Sequence, residues 1–259
     1  MAMQPEDLLL FAADAARMML ENGGETYRAE DAAMGIIASQ GGAEADCFAT
    51  STGLMLSFTG EDGRVHSVIR RIKRRSMNLE KASRIDTMAR NLLMDKIDIQ
   101  EAMRELDLVE RMRERPAGLR MAASAIGAGF FALLFGGGLA DAAAAAAIGA
   151  AMSLLIFGFQ RLQLPEFLAS MAGGALAAFS SLGIQFIGIP IHTDATIIGV
   201  IMLLVPGVSI TNAIRDTIAG DFLAGLARGT DAFITAAAIS AGAGGAFAMW
   251  KLFQLGGLP

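Results

Sequence analysis

Beyond residue 117 the polar side chains almost vanish for about twenty residues at a time. Apolar runs lie at about Gly118–Leu139, Ala142–Gln160, Phe167–Ile189, Ala195–Ala219 and Thr230–Phe253. Each is near the ~20 residues a helix needs to cross a ~30 Å hydrocarbon core. Ahead of them the pattern alternates at shorter range. Pro5–Glu21 repeats Leu9, Leu10, Ala13, Ala16, Arg17 and Leu20 at helical spacing and stops at Asn22-Gly23-Gly24, and a second helix runs from Thr26 to Gln40. Asp46–Thr50, Leu54–Thr59 and Arg64–Arg70 read as three short strands, broken at Ser51-Thr52-Gly53 and Gly60-Glu61-Asp62-Gly63. Leu79–Met94 and Ile99–Val109 restore the helical period, with Asp98 and Glu101 spaced as a capping box. The expected fold class is therefore an all-α membrane domain of about five transmembrane helices, residues 116–259. It follows an α+β cytoplasmic domain, residues 1–115, of order α-α-β-β-β-α-α.

Composition sharpens this division. A chain with 54% hydrophobic residues and 30 glycines could still be an apolar soluble protein, but residues 1–120 hold 17 of the 21 Lys and Arg and 20 of the 26 Asp and Glu. Two halves so different in charge are built for two solvents. Arg111, Arg113, Arg115 and Arg120 precede the first run, Arg161 follows the second, and Arg215 and Arg228 flank the turn after the fourth. The opposite connections hold Gly136-Gly137-Gly138 and Ile189–Asp194, with only Lys251 at the far end. By the positive-inside rule the amino terminus is cytoplasmic, the carboxyl terminus is outside, and the number of spans is odd.

Several classes lose support. The residues from Met1 to Asp14 carry three acids and no basic stretch, so no cleavable signal peptide is expected. Cys47 is alone and the only histidines are His66 and His192, which leaves no disulfide and no metal-ligand spacing; no cofactor is implied. The basic run Arg70-Arg71-Ile72-Lys73-Arg74-Arg75 lacks interleaved aromatics and suits anionic headgroups better than nucleic acid.

Small residues recur four apart at Ala169, Gly173, Ala177 and Ser181 and again at Ala238, Gly242 and Ala246, a spacing that lets helix backbones approach closely in lipid. The fourth run carries the candidate chemistry. Pro206-Gly207 interrupts it, so carbonyls before the break and amides after it lose helical partners, and in lipid a solute, water or protein group must replace them. A half-helix starting near Val208 favours a carboxylate at its positive end, and Arg215 adds a bidentate donor. Ser209, Asn212 and Asp216 share one helical face, with Thr211 and Arg215 on the adjacent one. Together with Pro206 and Gly207 these residues define the expected solute path. The plain alternative is a proline kink whose Arg215 and Asp216 mark a helix end. Among acidic residues for a proton relay, Asp141, Asp194 and Asp221 are expected to be exposed and Asp231 to serve a helix dipole, leaving Asp216.

The segments Leu204-Val205-Pro206-Gly207, Thr211-Asn212-Ala213, Arg215-Asp216, Gly220-Asp221 and Gly225-Leu226-Ala227-Arg228 form one long motif. A second runs Gly24-Glu25-Thr26-Tyr27-Arg28-Ala29-Glu30-Asp31, accompanied by Arg70-Arg71-Ile72, Asn78-Leu79 and Glu101-Ala102. In these, over nearly its whole length, the chain resembles the threonine/serine exporter family. That resemblance implies secondary export of small hydroxy amino acids or of dicarboxylates such as succinate, coupled to protons. Single-chain members look like two fused five-helix halves, so this chain resembles the larger subunit of a two-component exporter. The implied partners are a smaller membrane subunit, the lipid bilayer and a small carboxylate or amino-acid solute, in an oligomeric assembly. Glu25, Tyr27, Arg28 and Glu30 could gate the inner mouth or bind a ligand; a helix stop and start is the structural alternative.

Two other functions compete. A membrane-tethered hydrolase would need a nucleophile or metal motif, and neither G-x-S-x-G nor H-E-x-x-H is present. A membrane-anchored ligand sensor or assembly protein would need fewer spans than these.

Overall fold

The helical period of the first forty residues becomes α1 (Pro5–Glu21) and α2 (Thr26–Ser39). The chain is described by a computed structural model over residues 3–60, 63–73, 76–113 and 115–255. Between α1 and α2 the turn is pulled tight: the Gly23 and Gly24 amides donate to the Leu20 and Met19 carbonyls at 3.2 and 2.9 Å. Gly23 adopts φ +85°, which costs a β-carbon-bearing residue, and a Cβ on Gly24 would press on the Met19 main chain. The two glycines thus let α2 start directly beside the end of α1.

Three strands follow, β1 (Ala43–Thr50), β2 (Gly53–Thr59) and β3 (Val65–Arg71), in one antiparallel sheet of order β1-β2-β3. Register pairs Cys47 with Leu56 and Leu56 with Val68, and on the other face Phe48 with Met55 and Met55 with Ile69. The alternation puts Ala49, Leu54, Leu56 and Phe58 into a core shared with Ala12, Ala13 and Ala16 of α1 and Ile36 and Ile37 of α2. Helices α3 (Leu79–Leu93) and α4 (Ile99–Glu110) add Ile85, Met88, Leu92, Leu106 and Val109. Asn78 caps α3 by accepting from the Lys81 amide at 3.2 Å, and Asp98 caps α4 by accepting from Glu101 at 2.7 Å. The expected α-α-β-β-β-α-α order is thus seen, each strand one to three residues from its expected start. The second expected turn includes Glu61 and Asp62, which lie outside the described residues.

The apolar half holds α5 (Ala117–Leu134), α6 (Leu139–Arg161), α7 (Glu166–Phe186), α8 (Thr193–Ile201), α9 (Gly207–Ile218) and α10 (Phe222–Leu255). Among the described residues four helices, α5, α6, α7 and α10, are long and apolar enough to cross a membrane by length and composition. The expected fourth run is instead two short helices, α8 and α9. Part of the main chain freed between them is satisfied locally, because Leu203 and Leu204 donate to the Val200 and Ile201 carbonyls at 3.1 and 2.8 Å. A one-residue-tighter turn therefore takes up carbonyls that the sequence reading left open.

By internal contacts the chain forms two units. The first takes in the chain through Arg113 together with Val208–Thr230; the second runs from there to Gly207 and resumes at Asp231. By contacts 208–230 groups with the amino-terminal residues, and its polar side chains bond to the α1–α2 turn.

Within the second unit, small residues set the helix crossings. Gly173, Ala177 and Ser181 on α7 and Ala238, Gly242 and Ala246 on α10 are buried, with Ala169 half-buried. A Cβ on Gly242 would run into the Met171 carbonyl and one on Gly174 into the Ile239 carbonyl, so α7 and α10 cross with main chain nearly touching. Asp141 departs from expectation. It is 1% exposed, accepting from the Gly138 amide at 2.6 Å, the His192 amide at 2.5 Å and His192 Nδ1 at 2.9 Å. One carboxylate thus ties the amino ends of α6 and α8, a pairing across 51 residues that spacing does not reveal. Asp194 and Asp231 are exposed, and Asp221 is half-buried.

Replacing Gly242 by Leu is expected to cost about 1–3 kcal/mol or more through overpacking, read as a lower melting temperature of the purified full chain. Gly244→Leu, at a site with open space, leaves that temperature unchanged. Burial, aided by the nearby Glu30 carboxylate, pushes the Cys47 thiol up to about 12. At pH 8 its alkylation by iodoacetamide should then run about a thousandfold slower than for a free thiol of pKa ~8.5, and recover on unfolding. Rapid labelling of the native protein contradicts this.

Candidate functional site

The two long sequence motifs meet in the first unit. The amino end of α2 has Glu25 at its N-cap position without a capping bond from its side chain, and α9 together with the first turns of α10 supplies the partners for this turn. Asn212 donates through Nδ2 to the Gly23 carbonyl at 3.2 Å. Arg228 donates through Nη2 to the Gly24 carbonyl at 2.8 Å and to Thr26 Oγ1 at 3.4 Å. Asp216 accepts from the Thr26 hydroxyl at 3.2 Å and forms an ion pair with Arg228 Nε at 3.0 Å. Asp216 is wholly buried and the Arg228 side chain is 11% exposed, so this pair sits where solvent screens it least. A negative group beside the first turn of α2 also meets the positive end of the helix dipole.

α9 presents these groups as its period dictates. Asn212, Ala213 and Asp216 are the buried residues of that helix, the i, i+3/i+4 face predicted for Asn212 and Asp216. Ser209, on the same face, is half-buried, while Thr211 on the adjacent face is exposed. Arg215, itself half-exposed, reaches back to bond Glu25 Oε1. The other Glu25 oxygen, Oε2, faces Arg28 Nε at 2.5 Å, and Arg28 Nη1 lies 3.7 Å from Asp86, which Arg90 also bonds. Charges therefore alternate along Arg215, Glu25, Arg28, Asp86 and Arg90 across three helices. Burial acts to raise the Glu25 carboxyl. The Tyr27 hydroxyl, Arg215 and Arg28 outweigh it and hold that carboxyl below its ordinary 4.5. Glu30 goes the other way: burial pushes it up, partly offset by the Ala49 amide that donates to Oε1 at 2.6 Å.

Against the inner ends of these groups lies a cavity of about 290 Å³, lined by Gly23, Gly24, Glu25, Arg28, Asp86, Asn212 and Arg215 among others. At ~30 Å³ per water in the liquid, it has room for about ten waters. Both signs of charge and an amide line it, so it suits a small polar solute. Tyr27 lines a neighbouring cavity of about 280 Å³ along α2 and α3, which shares Arg28 and Asp86. Among the described residues no group of three or more His, Cys, Asp and Glu side chains could hold a metal ion.

Of the residues expected in the solute path, Asn212, Arg215 and Asp216 come together, and Glu25 and Arg28 of the second motif join them. Glu30 instead turns toward β1, and Pro206 and Gly207 end the stretch of the second unit before α9. The sequence reading named neither Thr26 nor Arg228 as a site residue, although each lies inside a quoted motif. The signal available for Arg228 was its place in the same motif as Asn212 and Asp216.

Long apolar helices in one unit and a charged, cavity-bearing unit that recruits residues from the apolar half define a multi-pass membrane protein. Residues 10–250 match the ThrE family, described as "Putative threonine/serine exporter". The chain belongs to this threonine/serine exporter family. No match was found among curated proteins or among solved structures.

Removing the Asp216 charge by Asp216→Ala leaves Arg228 buried without its anion, at an expected cost of about 3–5 kcal/mol. Adding Arg228→Met to that variant should recover part of the loss, read by thermal melting of the purified full chain. A double variant less stable than Asp216→Ala alone contradicts the pairing.

Proposed function

We propose that the protein is a subunit of a proton-coupled secondary exporter of small organic or amino acids, threonine and serine or a dicarboxylate such as succinate, and works with a smaller membrane partner. The solute path follows the polar face of α9 that begins after Pro206-Gly207 and includes the cavity at Glu25, Arg28, Asn212 and Arg215. The observation that carries this reading is the convergence of two motifs, about 190 residues apart in sequence, on that cavity. Membership of an exporter family supplies the class of activity.

Orientation in this proposal puts the amino terminus in the cytoplasm and the carboxyl terminus outside an inner membrane. Two features of the second unit support it. Arg120, near the start of α5, and Arg161, at the end of α6, both stack on Phe157, at 5.3 and 4.8 Å. Trp250, near the end of α10, packs on Phe186 at the end of α7 and on Phe179 and Phe253. Arg120 and Arg161 thus lie together at one end of these helices, as expected of the cytoplasmic side, and the Trp250 cluster at the other, as expected of an interface.

In cells loaded with threonine or succinate, Arg215→Ala and Asn212→Ala are each expected to reduce efflux at least about tenfold, the loss of one good charged or polar contact, with unchanged membrane insertion. Normal efflux from both variants removes the site from the transport path.

A further inference from the structure

Inside the cavity the guanidinium groups already have a carboxylate. Glu25 spans the gap between α2 and α9, one oxygen bonded to Arg215 and the other 2.5 Å from Arg28, and its side chain is 10% exposed. Its geometry is that of a guest. Each of its oxygens meets a different cation, and the cavity it lines leaves further space to be filled. An arginine fork recognises any carboxylate alike, whether it belongs to the chain or to a solute.

We infer that Glu25 is an internal competitor: its carboxylate occupies the Arg215 and Arg28 positions that the carboxylate of a solute takes on binding, so solute must displace it. This rests on the proposed solute path and assigns the carboxylate end of the solute within it. The cations serve resting protein and loaded protein in turn. A solute bringing a second anion into the cavity without displacing Glu25 would place like charges side by side at a half-buried site, which is costly. The competitor thus sets a threshold. Weakly bound anions do not dislodge it, and a solute with further contacts, such as an ammonium group toward Asp86 or a hydroxyl toward Asn212, does.

A linkage with protons follows. Held between two arginines, Glu25 stays ionised to below its ordinary range. Displaced, it keeps its burial and loses the cations, and burial then favours the neutral acid. Binding takes up a proton from solution onto the displaced carboxyl, so affinity rises as pH falls between the displaced and the paired titration points. The other groups around Glu25 are Tyr27 and Arg28 on α2, Arg215 and Asp216 on α9, Arg228 on α10 and Asp86 on α3. All of these except Glu25 itself remain in a Glu25→Gln protein, which is therefore the reference.

The test uses the full chain in lipid nanodiscs with calorimetry as readout. Threonine is the probe at pH 5 and 7, where its charge is nearly constant because its carboxyl titrates near ~3.5 and its amine near or above ~8. Succinate, whose own charge changes over that range, is the probe at pH 7 alone. The wild type is expected to bind more tightly at pH 5 than at pH 7. Glu25→Gln should bind about tenfold more tightly than wild type at pH 7, because no internal carboxylate then competes for the arginines, and lose the pH dependence. Glu25→Asp, which keeps the charge, should retain it; melting temperatures verify that the variants are folded. If Glu25→Gln weakens binding as Arg215→Ala does, or keeps the wild-type pH dependence, Glu25 is a ligand or a bystander and the competitor is overturned while the solute path stands. If the wild type binds neither probe, the solute path itself is overturned.

Discussion

A carboxylate with no exposed surface needs a cation or several hydrogen-bond donors to stay charged, and the Asp216–Arg228 ion pair is the constraint on which the first unit depends. Arg228 also donates through Nη2 to the Gly24 carbonyl and the Thr26 hydroxyl, so the pair also fixes the turn between α1 and α2. Gly23 and Gly24 make that turn narrow enough for its carbonyls to face outward toward α9. The same turn then positions Glu25 against Arg215. Removing any one of these steps leaves a buried polar group without its partner, which explains why residues 208–230 belong with the first unit despite lying among apolar helices in sequence.

The second unit follows a different logic. Little in it is charged, and helix approach is set by where a side chain is missing. Gly242 and Gly174 let α7 and α10 meet main chain to main chain, and Gly129, Gly149 and Gly199 do the same among α5, α6 and α8. Among its described residues the one buried acid, Asp141, accepts from two amides and an imidazole at helix ends. A membrane part held by shape, and a charged part held by paired ions, divide the work of stability and recognition between them.

Much of this was legible in the residues themselves. Helices α1 to α4, the three strands and the long apolar helices follow from period and from Gly, Asn and Asp at their ends, since local spacing decides them. The face of α9 was legible too, because Asn212 and Asp216 sit four apart. What that face meets was not. Pairing of Asn212 with Gly23 or of Arg215 with Glu25 joins positions 189 and 190 residues apart, and no local rule encodes such contacts. The fourth apolar run showed the limit of hydropathy, for its second half is amphipathic and its polar face is drawn to charged partners. Thr26 and Arg228 were overlooked for a related reason. A threonine at a helix start and an arginine near a helix end both have ordinary structural uses, and only their convergence on Asp216 sets them apart.

Hydrogen exchange of the full chain in nanodiscs tests the clamp most directly. In Arg228→Ala the amides of residues 22–29 and of α9 should exchange faster together, while those of β1 to β3 keep their protection. Faster exchange in one segment without the other, or none in either, would show that the buried ion pair does not hold the two motifs as one structure.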